Sequence, residues 1–217
     1  LIHEHGHAGT AVNDPLILRL MVIATVVAAF AISGWYRRRA ERGDDSPAPP
    51  ASALPVLVLR LLVVFLLLGF FAVWAARPEL VAFARLPLPP AARGLGLAAA
   101  IGVLPLFVWI FRTLGANVTP TALTRQRHRL ITTGPYRWVR HPLYAAGTLF
   151  FLALALATAS WLPALYAAGG FGATALRRRR EEAALEARFG DAYRRYRATT
   201  GAYLPRLTRP ASGHAGR

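Results

Sequence analysis

Leu143-Tyr-Ala-Ala-Gly-Thr-Leu-Phe-Phe-Leu-Ala-Leu-Ala-Leu-Ala-Thr-Ala-Ser-Trp-Leu-Pro-Ala-Leu-Tyr-Ala-Ala-Gly-Gly-Phe-Gly-Ala-Thr-Ala-Leu176 is a run of 34 residues without a charge. As one helix it would measure about 50 Å at 1.5 Å per residue, far beyond the roughly 30 Å apolar core of a bilayer. Ser160-Trp161-Leu162-Pro163 falls in its middle and combines turn formers with an interfacial tryptophan. The reading adopted is a hairpin of two short apolar helices, about 16 or 17 residues each, folding back there. A single bent helix is the alternative, and it would leave His141 and Glu181 on opposite sides of a membrane. The hairpin instead returns the polar cluster Arg177–Glu182 beside the stretch that precedes the run.

That preceding stretch is Gly134-Pro-Tyr-Arg-Trp-Val-Arg-His-Pro-Leu-Tyr-Ala-Ala-Gly147. In isolation, His141-Pro142 reads as the start of an interfacial helix, because proline suits the first turn. Tyr136, Trp138 and Tyr144 read equally well as belt aromatics. On the far side, Arg177 with Glu181 and Arg178 with Glu182 are i,i+4 pairs that suit a solvated charged ladder. Neighbouring helix residues point about 100° apart, so Glu181 is expected to face inward, with Glu182 supporting it or facing water. Leu185, Phe189, Tyr193 and Tyr196 then recur at helical spacing, as in an amphipathic cytoplasmic helix that Gly190 divides. Thr200-Gly201 and Leu204-Pro205 close the ordered region, and 207–217 read as a disordered tail.

The whole chain of 217 residues is 55% hydrophobic, with mean hydropathy +0.37, which points to an integral membrane protein. It has no cysteine, which excludes disulfides and thiolate chemistry. All 26 basic residues are arginine, which excludes a lysine Schiff base and hints at a GC-rich bacterial genome. The net charge of +16 is spread over segments flanking apolar runs, as membrane topology requires, and no nucleic-acid partner is expected. No basic segment precedes the first apolar run, so no signal peptide is read.

Residues 1–15 form a polar tail whose His3, Glu4, His5 and His7 read as mobile rather than metal-binding. Three spans follow within 16–112, at Leu16–Tyr36, Leu54–Ala76 and Gly94–Leu114, the last kinked at Pro105 and packed through Gly94, Gly96 and Gly102. Arg60 lies about two turns inside the second, and reads equally as functional or as snorkelling to the surface. Between spans, 43–52 is a flexible loop, 77–93 a proline-rich outer loop, and 115–140 a cytoplasmic loop with short extended pieces. Arginines number four in 37–53, six in 112–140 and eleven after 176, against three in 77–93. By the positive-inside rule the active site faces the cytoplasm and the N-terminus lies outside. The expected fold is therefore all-α: a polytopic transmembrane helical protein of about five spans, with a C-terminal hairpin and a cytoplasmic helix.

Thr132-Thr-Gly-Pro-Tyr-Arg-Trp-Val-Arg-His-Pro-Leu-Tyr-Ala-Ala-Gly147, a charge-free stretch, then Glu181-Glu-Ala-Ala-Leu-Glu-Ala-Arg-Phe-Gly-Asp-Ala-Tyr-Arg-Arg-Tyr196 and Leu204-Pro-Arg206 resemble one family. It is the isoprenylcysteine carboxyl methyltransferases, and more broadly the membrane methyltransferases that include phospholipid N-methyltransferases. The resemblance covers about 113–206, the candidate catalytic region, and departs from the hallmark R-H-P-x-Y-x-G by one extra residue before Gly147. It implies S-adenosylmethionine as cofactor, without a Rossmann fold. It further implies cofactor contacts from His128, Arg129, Leu130, Ile131, Tyr136, Arg140, His141, Pro142, Leu143, Tyr144, Glu181 and Glu182. Arg177 matches the family's substrate arginine, and with His141 it forms the expected catalytic pair; no metal is implied.

Those residue types suit the cofactor. A carboxylate takes amino or hydroxyl groups, His and Arg hold a carboxylate, and aromatics pack the base. Methyl transfer is an in-line displacement that needs alignment and a dry site. A carboxylate acceptor is already ionised at pH 7, whereas a thiol or ammonium acceptor needs a base such as His141. The expected function is methylation of a lipophilic acceptor, with a prenylcysteine-like or isoprenoid carboxylate ahead of a phospholipid amine or small thiol. Two rivals remain at this level: an NADPH-dependent membrane reductase of the sterol-reductase type, and a non-enzymatic anchor or assembly protein.

Overall fold

The structure is a computed structural model that describes residues 15–42, 54–115 and 130–206, apart from the side chains of Glu41, Pro55, Val56, Leu57 and Arg60. The readings of the N-terminal histidines, the loop from residue 43, His128, Arg129, the Arg60 side chain and the tail beyond 206 lie outside the described residues. Among the described residues the protein is all-helical. Its helices are α1 (Pro15–Glu41), α2 (Leu54–Ala76), α3 (Pro90–Leu114), α4 (Pro142–Thr158), α5 (Leu162–Phe189) and α6 (Asp191–Thr199). Two 3₁₀ segments, Pro78–Ala84 and Gly134–Arg137, lie between them.

Prolines mark most of the starts: Pro15, Pro90 and Pro142 each open a helix, and Pro163 sits in the first turn of α5. An N-terminal N–H has no helical partner, so its absence costs nothing there. α1 runs on through Arg37–Arg39, because arginine is a good helix former and a cation in the last turn is favourable. α3 begins at Pro90, earlier than the expected Gly94, and continues as one helix through Pro105.

Among the described residues two helices are long and apolar enough to cross a membrane, Pro15–Ala40 and Pro90–Leu114; a third follows if Leu61–Ala76 and Pro78–Ala84, bent by 116°, count as one span. The expected count was five. The difference lies largely in the charge-free run, which divides into pieces too short to qualify by themselves: α4 has 17 residues, or about 25 Å.

The described residues group into two compact units. The first comprises 15–31, 54–104 and 149–167. Leu18, Val22, Phe71, Leu97 and Leu154 form its core. Gly96 marks a close approach: a Cβ there would lie 2.5 Å from Ala157 N and 2.7 Å from Ala153 O, so α3 meets α4 backbone to backbone. Gly102, expected to serve the same purpose, has open space instead. The Trp74 indole N–H donates to Thr158 O at 3.2 Å and the Arg19 guanidinium to Ala75 O at 3.2 Å. The turn between α4 and α5 occupies 159–161, where Ala159 takes φ +50° and Ser160 bridges to Arg85.

The second unit comprises 32–42, 105–115, 130–148 and 168–206. Phe107, Ile110, Phe111 and Tyr193 are buried in it, and Tyr36 stacks on Phe111 with centroids 5.4 Å apart. The arginine-rich stretch after Leu176 is not a separate cytoplasmic helix, as expected, but the continuation of α5 to Phe189. Arginine, glutamate, alanine and leucine all propagate a helix, so a change of polarity is no break. The break falls at Gly190, whose φ of +50° ends α5 and starts α6.

Candidate functional site

The site lies within the second unit, and its entrance segment is fixed first. Gly134 takes φ +56°, the left-handed region that favours glycine, and a Cβ there would meet Thr113 Oγ1 at 2.6 Å. The 3₁₀ turn that follows is closed by Trp138 N–H donating to Pro135 O at 3.2 Å. The chain then runs extended beside the segment after α6. Val139 bridges to Gly201 in parallel, Arg140 N–H donates to Gly201 O at 2.8 Å, and His141 N–H donates to Ala202 O at 2.9 Å. Gly201 is obligatory, because a Cβ there would run into Leu204 O.

Arg140 is consumed by this architecture. Its Nε and Nη2 donate to Glu182 Oε1 at 3.2 and 3.0 Å, and its Nη1 to the carbonyls of Arg197 and Thr200. A cation at the carbonyl end of α6 is favoured by the helix dipole. The pair is nearly dry, with side chains 7% and 11% exposed. Glu182 Oε1 also accepts from His141 Nε2 at 3.1 Å and meets Arg178 Nη1 at 3.5 Å. Burial pushes the Glu182 carboxyl up, but the bonds from Arg140 and His141 outweigh it and hold the group below its ordinary value. His141 is lowered, chiefly by burial and further by Arg140, against the pull of the two glutamates. The imidazole is therefore neutral at pH 7, and its proton sits on Nε2, where the ionised Glu182 accepts it.

Glu181 meets a different partner. The Tyr144 hydroxyl donates to it at 2.9 Å to Oε1 and 3.2 Å to Oε2, and Arg177 Nε lies 3.5 Å from Oε1. His141 Nδ1 is 4.0 Å from Glu181 Oε2, too far for a hydrogen bond. The His141 and Tyr144 rings lie parallel with centroids 5.5 Å apart; Tyr203 tilts against His141 at 5.9 Å, and Phe171 against Tyr203 at 4.8 Å. The Tyr136 phenol is raised well above its usual value, by burial first and then by Tyr196, Tyr144 and Glu181. Its backbone carbonyl accepts the Tyr196 hydroxyl at 2.6 Å. Tyr193 is almost fully buried and pushed up to about 12 by burial and by Glu182.

The fold thus brings together Arg140, His141, Tyr144, Arg177, Glu181 and Glu182, with Tyr136 beside them. Pro142 is buried and opens α4; Leu130, Ile131 and Leu143 are half-buried and take no part in the hydrogen-bonded cluster. Both glutamates are engaged, and Glu182 is the more buried, so it does not face water. Sequence reasoning named Arg178 only as the i,i+4 partner of Glu182, a contact it makes at 3.5 Å, and did not single out Tyr203. The one available signal for Tyr203 was an aromatic residue between Gly201 and Pro205, in a segment that otherwise reads as the end of order.

Residues 92–192 match the family model described as phospholipid methyltransferase. The match takes in α3, α4, α5 and the start of α6, and it points to a membrane methyltransferase, with no support for a reductase. A search of curated proteins finds no match.

Proposed function

We propose that this protein is an integral membrane methyltransferase that uses S-adenosylmethionine to methylate a lipophilic acceptor. The observation that carries the reading is the meeting of Glu181 and Glu182 with the Arg-His-Pro-Leu-Tyr segment, inside the matched region. The residues suit the cofactor: a carboxylate bonded to a phenol, parallel rings, and the buried Arg178 Nε and Tyr203 OH, which have no hydrogen-bond partner among the described residues. When bound, the cofactor supplies an electrophilic methyl group for in-line displacement. Glu181 would take its amino or ribose hydroxyl groups, with Tyr144 holding that carboxylate in place. Arg140 and Glu182 act one layer behind, fixing His141 and the loop. Neutral His141 is in the right protonation state to accept a proton from an ammonium or thiol acceptor.

Arg177, with 47% of its side chain exposed, suits orientation of a carboxylate acceptor such as a prenylcysteine-like or isoprenoid acid. The family description names a phospholipid, which supports the other acceptor class, a phospholipid amine being the group open to methylation. The excess of arginine in the segments on the site's side supports a site at the cytoplasmic surface.

The test is transfer of labelled methyl from S-adenosylmethionine by the purified full chain to bacterial membrane lipids, to phosphatidylethanolamine, and to a farnesylcysteine analogue. Label in any lipophilic product supports the reading, and the labelled fraction decides between amine and carboxylate. No transfer, combined with no binding of S-adenosylhomocysteine, overturns it.

A further inference from the structure

Arg178 Nε and Tyr203 OH make none of the hydrogen bonds described so far, and both are buried donors without a partner, as is Tyr193 OH. Arg178 Nε and Tyr203 OH are shielded from solvent, and among the described residues neither makes a hydrogen bond. Leaving such a group unpaired costs more than the bond itself gains, so a fold tolerates it where something else supplies the acceptor. The two side chains adjoin: the Arg178 guanidinium lies over the Tyr203 ring, 5.7 Å from its centroid. The ring is held between Phe171 on one contact and His141 on the other, 4.8 and 5.9 Å away, and His141 stacks on Tyr144. Both unsatisfied atoms on this ledge can donate, and one belongs to a cation. An anionic group with two acceptor oxygens is the complement.

Building on the methyltransferase reading, we infer that Arg178 Nε–H and Tyr203 O–H together receive the carboxylate of the cofactor's amino-acid arm. Glu181, bonded to the Tyr144 hydroxyl, is left for its cationic or hydroxyl groups. The zwitterion is then read by opposite charges on one ledge. Tyr203 lies beyond residue 192, where the family match ends, so this half of the subsite is supplied by the segment that follows α6.

The experiment compares two probes on the full chain in detergent, by calorimetry: S-adenosylhomocysteine, and decarboxylated S-adenosylmethionine, which keeps the ammonium but lacks the carboxylate. Tyr203→Phe keeps the ring and removes only the hydroxyl; Arg178→Lys keeps the charge beside Glu182 and removes Nε–H. Each variant is expected to bind S-adenosylhomocysteine about tenfold more weakly, as for loss of one hydrogen bond to a charged group. Neither should change affinity for the decarboxylated probe by more than about twofold. Equal losses for both probes, or no loss for either, overturn the inference. Wild-type chain that binds neither probe overturns the methyltransferase reading itself, a distinct result.

Discussion

On α5 adjacent side chains point about 100° apart, so Glu181 and Glu182 meet different parts of the chain entering α4. Glu182 reaches back to Arg140 and His141, before the helix begins; Glu181 reaches Tyr144, in its first turn. Their substitutions should therefore separate. Glu182→Ala strips a nearly dry arginine of its counter-ion and is expected to cost about 3 kcal/mol or more of stability. Glu181→Ala is expected to cost about 1 kcal/mol while abolishing binding of S-adenosylhomocysteine. Thermal unfolding and calorimetry on the two variants check this, and equal stability losses would contradict it. His141, Tyr144 and both glutamates were legible in advance because their residue types and order form a recognisable pattern. The division of labour between the glutamates was not, since it depends on which side of Pro142 each one meets. Arg178 was hidden for a similar reason: within four consecutive arginines, only packing distinguishes one from the next.

At the scale of elements, the glycines give a contrast of the same kind. Gly96 lies against α4 backbone that cannot yield, whereas Gly147, the glycine displaced by one residue from the family hallmark, has nothing within 4 Å of where a Cβ would be. Gly96→Ala is expected to destabilise the protein by about 1–3 kcal/mol, the usual range for overpacking. Gly147→Ala is expected to be neutral or slightly stabilising, because alanine is the better helix former. Melting temperatures of the two variants decide the matter. The starts of α1, α2 and α4 and the break at Gly190 were readable from prolines, apolar runs and that one glycine. The unbroken passage of α5 through Leu176 was not, because a hydropathy boundary looks like an element boundary although backbone propensity continues across it.

For the molecule as a whole, the polar cluster sets a dependence on pH. His141 and Glu182 both have lower pKa values folded than unfolded, so the unfolded chain takes up protons first as pH falls. Stability is intact above the unfolded histidine value of 6.5, declines below it, and declines again below the unfolded glutamate value of 4.5. Melting temperature followed from pH 8 to pH 4 should show both stages, roughly at those values. His141→Gln should remove the first and leave the second. Membrane character at this scale was plain from hydropathy; the number of spans was less so, since α4 and the apolar part of α5 are each near the lower length limit.

The extended pairing of Val139–His141 with Gly201–Ala202 also bears on the order in which the protein is made. Arg140 receives its last carbonyl, that of Thr200, from a residue synthesised 60 positions later. A nascent chain held on the ribosome short of that point has the Arg140–Tyr144 and Glu181–Glu182 motifs and lacks the strap that aligns them. Competence to bind should then arrive abruptly, once that later segment has been made, rather than accumulate as the helices emerge.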